Sequence, residues 1–415
     1  MINLDIIVQR FDGTLDDNNK KKIEQKYNIA RAKIIISALI VARHLAFLLT
    51  NFMMNVMKKV FHDSEIAKEL YLNIFEVVDI IKLVIAPCQQ ERFKKFLMHQ
   101  KFSIIIDEST SKSSKHCLCV VTRYFDSDAG KVHDSLWDVI LLYENEYSTA
   151  NAENILSKVI ESFKTALVPI CNAICFASDT CNLLMGKISS VSVRLKKILQ
   201  HLLIVKCRCH LGHLCARDTV AADNMNSLKF VSSVYNYIEG SSKRSSNWQT
   251  FQERIFRTHP FAKPLKILKP IYIRWLSNYE SLERVVSRWT ALKLFLRTEE
   301  WSQDVETLLQ SLENDLLHLN CMFLEFILNK FYCVNKLFQS ETPIIPASED
   351  SIHRLYFELL KLYMYNDYIE KTDILEIDPQ CTSNMKPPHE IFIGSKAQEF
   401  LDTINISEEE KNSFF

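Results

Sequence analysis

The sequence predicts a mixed α/β protein whose sheet is preceded and followed by helical regions. Two observations carry this. Short apolar runs of strand length, bounded by turn residues, cluster between residues 101 and 207. On either side, apolar residues recur at helical spacing instead. At 415 residues the chain has room for two or three domains and an ample core. With only 6 glycines, and no GxGxxG or GxxxxGK[ST], it offers no dinucleotide-binding or P-loop signature.

Residues 1–30 are polar and lysine-rich and read as a flexible arm. Residues 31–100 read as an N-terminal helical region. Within it, residues 34–57 are the longest apolar stretch, with Arg43 and His44 in the middle. Charge at that depth would cost a spanning helix about 3 kcal/mol, so a helix packed within the protein is expected and a membrane partner is not. Asp63-Ser64 followed by Glu65 is a helix-start signal for the segment that follows.

Between residues 101 and 220 the character changes. Strands are expected at 102–106, 116–125 and 136–143, then a helix over 151–167. A fourth strand follows at 173–178, a helix over 183–199, and a fifth strand at 202–207. Residues 221–375 are mostly helical. Residues 376–415 read as a proline-containing linker and a weakly ordered acidic tail.

The order β-β-β-α-β-α-β is that of a ribonuclease H-like core. There the first and fourth strands lie side by side, and acidic residues at their ends share a metal site. Asp107 follows the first apolar run, in FSIIIDEST, and Asp179 follows the fourth, in AICFASDTCN. Two carboxylates so placed are candidate ligands for Mg²⁺ or Mn²⁺ in phosphodiester chemistry. The bland alternative is that each aspartate caps the turn after its strand through backbone amides.

The net charge is zero but unevenly spread. Residues 191–297 carry 19 basic and 6 acidic side chains, net +13, and residues 298–415 carry 8 and 22, net −14. A basic block of this kind is a footprint for polyanions, or it packs against the acidic segment. The 12 cysteines form no regular framework, and no secretory signal opens the chain, which points to reduced thiols in an intracellular compartment.

Four motifs, in order, resemble those of hAT-superfamily transposases and of domesticated proteins derived from them. They are IIDEST at 105–110, SDTCNLLMG at 178–186, CRCHLGHLCA at 207–216 and IRWLSNYESLERVVSRW at 273–289. The resemblance covers roughly residues 50–345. It implies a ribonuclease H-like core with a large all-α insertion (residues 221–375), Asp107 and Asp179 as the first two metal-binding acids, and a nuclear location. The family's third acid is a glutamate that follows the insertion in a Ser-rich segment, and no counterpart is visible here. Nor is an N-terminal zinc finger or the family's C-terminal dimerisation region. The expectation is therefore a chain that stops inside or just after the insertion, with a degenerate site and no surviving catalysis. An active nuclease or transposase subunit would need its third acid from elsewhere, such as Glu325 or Glu349.

Candidate nucleic-acid contacts are Lys196, Lys197, Arg208, Lys243, Arg244 and Arg274, with Trp275 available to stack on a base. Trp275 buried between the insertion and the core is the competing reading. Cys207, His210 and His213 are weak zinc candidates, since their spacing is not that of the common finger; they could instead anchor a strand-to-helix turn. The expected partner is DNA or a chromatin-associated protein, with self-association possible. A non-catalytic interaction scaffold remains the other class of function.

Overall fold

The computed structural model describes residues 17–110, 116–127, 129–143, 151–258, 263–271, 277–340 and 345–414. The chain divides between Val205 and Lys206 into two compact units.

The first unit opens with helices α1 (Asp17–Ala42), α2 (Leu49–Val60), α3 (Glu65–Glu69), α4 (Ile74–Ile80) and α5 (Ala86–His99), with a π-helical turn before α5. Helix α1 already runs through much of the segment expected to be a flexible arm. The long apolar stretch is not one helix. It breaks after Ala42, where His44 takes the left-handed φ of 51°, and resumes as α2. Among the described residues no helix is long and apolar enough to cross a membrane.

The start signal at Ser64 is real: its Oγ accepts from the Ala67 amide at 3.3 Å. The helix it opens is short. Leu70 leaves the helix in an extended conformation, and Asn73 starts a new one by accepting from the Glu76 amide at 2.9 Å. An asparagine that bonds its own downstream backbone competes with helix continuation, so the sequence periodicity runs across a real break.

The sheet comprises β1 (Phe102–Thr110), β2 (His116–Asp126), β3 (Lys131–Leu141), β4 (Ala173–Ser178) and β5 (Leu203–Lys206), in spatial order β3-β2-β1-β4-β5. β1 pairs antiparallel with β2 and parallel with β4. The fold of this unit is thus mixed α/β. Helix α6 (Ala152–Thr165) connects β3 to β4, capped by Asn151, whose Oδ1 accepts from the Asn154 amide at 2.8 Å. The single helix expected over 183–199 is two, α7 (Asn182–Met185) and α8 (Val191–Ile198). Ser190 caps the second through its Oγ.

Burial alternates along the strands. Phe102, Ile104 and Ile106 of β1 and Leu118, Val120 and Tyr124 of β2 face a core completed by α5, α6 and α8. At its centre Phe163 of α6 is fully buried, stacked on Trp137 at 4.5 Å and on Phe102 at 5.5 Å. Trp137 anchors the stack by donating from Nε1 to Ser162 Oγ at 2.9 Å. On the opposite face Ile105, Val121 and Ala177 are only half-buried, and Leu136 and Val139 are exposed.

The second unit is helical: α9 (Arg208–Ala221), α10 (Ser227–Glu239), α11 (Ser242–Ile255), α12 (Ser277–Ser287), α13 (Trp289–Leu296), α14 (Gln303–Glu313), α15 (Asp315–Phe338), α16 (Ile345–Tyr363), α17 (Asn366–Lys371), α18 (Ser395–Leu401) and α19 (Glu408–Phe414). Trp248 and Trp289 are buried in its main core, and each indole N–H donates to a backbone carbonyl, of Leu265 and Leu312 respectively. Helix α9 contributes Ala216 to that core, so the segment carrying Cys207, His210 and His213 belongs with this unit, whereas the sequence grouped residues 101–220 together.

The last 25 residues are not a weakly ordered tail. Ile393 and Ala397 are buried against Leu319 of α15, with Phe400, Leu401 and Phe414 packed beside them. Lys396 reaches Glu325 of α15 at 3.1 Å. The acidic composition hid an apolar stripe long enough to dock.

Candidate functional site

β1 and β4 are adjacent and parallel, and their last paired positions are Ile106 and Ser178. The next residue on each chain is Asp107 and Asp179. Neighbouring strands lie about 4.8 Å apart, and laterally paired positions share a face. The two aspartates therefore stand side by side at one rim of the sheet. Asp107 is exposed and Asp179 partly so.

The strand does not stop at Asp107, as the sequence suggested. It continues through Thr110, because β2 supplies a partner for every position: Asp107 pairs with Cys119, Glu108 with Leu118 and Ser109 with Cys117. Asp107 is thus held by a central strand with neighbours on both sides. Asp179 lies just past β4, where its Oδ1 accepts from the Cys181 amide at 3.3 Å. The turn-capping role weighed for Asp179 is present, and it leaves Oδ2 outside that bond.

Cysteines surround this rim. Burial and the neighbouring Cys117 thiol push the Cys119 thiol up, with the Asp107 carboxylate adding to the shift. Burial pushes the Cys181 thiol up to about 11, and Asp179 acts in the same direction. Protonated thiols beside two carboxylates leave the aspartates as the charged ligands of the rim. Glu108, also exposed, lies 3.6 Å from His116 Nδ1. Sequence reasoning overlooked Cys119 and Cys181. The signal was the position of Cys119 directly opposite Asp107 in a hairpin, which required the register.

Two carboxylates with free lone pairs suit one hard divalent cation completed by water. A pair of ions held about 4 Å apart for in-line phosphoryl transfer needs more carboxylate oxygens. Among the described residues no group of three or more His, Cys, Asp or Glu could hold a metal ion. Of the two acids considered as a missing third ligand, Glu325 is buried in the second unit and paired with Lys396. Glu349 is exposed on α16.

Cys207 is the N-cap of α9, and Cys209, His210 and His213 follow within its first two turns. Burial, with Cys207 close by, pushes the Cys209 thiol up to about 11, which favours the protonated form over a thiolate ligand.

The candidate nucleic-acid residues divide into three groups. Lys197 and Lys243 are exposed. Lys196 donates to the Leu202 carbonyl, Arg208 donates to Ser348 Oγ at 2.9 Å, and Arg244 donates to the Tyr237 carbonyl at 2.6 Å while lying over the Tyr237 ring. These three side chains are engaged in holding the fold. Arg274 and Trp275 lie outside the described residues. The remainder of their motif is structural: Asn278 Oδ1 accepts from the Ile271 amide at 2.8 Å, and Leu282, Val285 and Trp289 are buried.

No family model, no curated protein and no solved structure matches this chain.

Proposed function

We propose that the chain is a transposase-derived, nucleic-acid-binding protein of the hAT type, whose ribonuclease H-like core keeps two metal-site acids and no longer performs phosphoryl transfer. The observation that carries this reading is the adjacency of Asp107 and Asp179 on β1 and β4. The sheet order β3-β2-β1-β4-β5 is the order such a core requires, and the four sequence motifs fall at its expected positions. A bound Mg²⁺ or Mn²⁺ would supply Lewis-acid polarisation of a phosphate oxygen. Asp107 and Asp179 would hold it, and two acids leave a second ion without ligands.

Binding of nucleic acid rests on the basic block, net +13 over residues 191–297, and within it on exposed side chains such as Lys197 and Lys243. Phosphate neutralisation releases counterions, so affinity must fall as salt rises. Titration of the full chain with random duplex DNA at several salt concentrations is expected to give a steep negative slope of log affinity against log salt. Lys197→Glu and Lys243→Glu are each expected to make that slope shallower by about 0.9 for every phosphate left without its cation. Absence of DNA binding at low salt, or affinity indifferent to salt, contradicts the reading and favours a protein-interaction scaffold.

A further inference from the structure

Helix α2 has two apolar faces, and the fold uses one. Met54 is buried, with Met53 and Met57 packed beside it against Ile36, Ile40 and Val77. The other face is a stripe at helical spacing, formed by Leu49, Phe52, Val56 and Val60 and extended at its ends by Leu48 and Phe61. Leu48 is 78% exposed, Phe52 65% and Val60 60%. Leucines and phenylalanines at such exposure leave on the order of 600 Å² of apolar surface in water, approaching the roughly 800 Å² that each partner contributes to a standard interface. Scattered exposed apolar side chains are ordinary; a contiguous stripe of this size marks an interaction site.

We propose that this stripe is a two-fold self-association surface, occupied by the same helix of a second copy of the chain. The order of side-chain sizes selects that occupant. The bulky residues Leu48, Leu49 and Phe52 lie in the N-terminal half of the stripe, and the small Val56 and Val60 in the C-terminal half. In an antiparallel pair centred between Phe52 and Val56, Phe52 of one copy meets Val56 of the other, and Leu48 and Leu49 meet Val60. Large side chains then interdigitate with small ones throughout, as close packing requires. A parallel pair would stack Phe52 on Phe52 and bring Lys58 and Lys59 of both copies together. The charges point the same way. Residues 43–62 include no acidic side chain, and both lysines of α2 are in its last turn. Antiparallel pairing holds them at opposite ends of the interface.

The test is sedimentation equilibrium of the full chain in high salt without nucleic acid. Wild type is expected to approach twice its 48.4 kDa mass. Phe52→Glu/Val56→Glu places charge in the centre of the pair and weakens self-association by about a hundredfold or more. Leu48→Glu, just outside the helix, weakens it too, which guards against a fold defect in the double variant; both are checked by circular dichroism. Leu375→Asp, removing an equally exposed leucine elsewhere (92% exposed), leaves the dimer intact. A monomeric wild type overturns the proposal, as does a wild type that stays monomeric and sediments with anionic phosphatidylserine vesicles. So does a dimer that both α2 variants leave unchanged.

Discussion

Replacing Phe163 by alanine is expected to destabilise the first unit by about 3–5 kcal/mol, the cost of removing a fully buried phenylalanine from a core that cannot collapse around the gap. Collapse is blocked because both faces of the ring are occupied. Trp137 lies parallel to it at an interplanar angle of 4°, and Phe102 lies against it at 17°. Trp137 cannot swing into the void without breaking its bond to Ser162, which itself sits on α6. The effect should reach the rim, because Phe102 is the first residue of the strand that holds Asp107. Hydrogen exchange of the β1 and β4 amides is predicted to accelerate by on the order of a hundredfold or more. Loss of less than about 1 kcal/mol in denaturant unfolding would show that the stack is not the keystone of this unit.

Gly394→Ala is expected to cost about 2–4 kcal/mol and to loosen the C-terminal segment of the second unit. Gly394 has φ 93° and ψ 142°, a region open to glycine and strained for any other residue. An added Cβ would also come within 2.7 Å of the Phe326 ring, which is held from another side by Phe392 at 5.6 Å. The segment could relieve the clash only by lifting Ile393 and Ala397 off Leu319. Limited proteolysis should then cut residues 391–404 faster, and the melting temperature should fall. An unchanged melting temperature and unchanged cleavage would mean that α18 contributes little to the unit.

How much of this could be read from the sequence depended on whether the information was local. β4 was legible to the residue, Ala173–Ser178, because a short apolar run between turn signals leaves few alternatives. β1 was legible in its apolar half only. Its continuation through Asp107, Glu108 and Ser109 is imposed by the β2 ladder, and strand propensity alone disfavours those residues. β3 begins at Lys131 rather than 136 for the same reason, since its polar first residues pair with Thr122–Asp126 of β2. The breaks at Leu70 and between Met185 and Val191 were missed because apolar periodicity ran through them while capping side chains decided the outcome. The C-terminal fold-back was hidden by composition: acidic residues dominate the segment, and a handful of apolar ones dock it.

The site followed the same division. Asp107 and Asp179 were visible as carboxylates after apolar runs, and their adjacency came from strand order. The basic candidates fared differently, because charge is read from sequence and availability is not. Arg244 has a tyrosine ring and a carbonyl to hold, and Arg208 a serine hydroxyl. Lys197 and Lys243 remain exposed to solvent.

The most direct test of the central claim is calorimetric titration of Mn²⁺ into the folded wild type and into Asp107→Ala and Asp179→Ala. The account predicts one weak site in the wild type, lost in either variant, because each aspartate supplies half of the charged ligands at the rim. A folded wild type that binds no Mn²⁺, or binding that survives in both variants, would contradict a shared site and leave the two aspartates as separate structural residues.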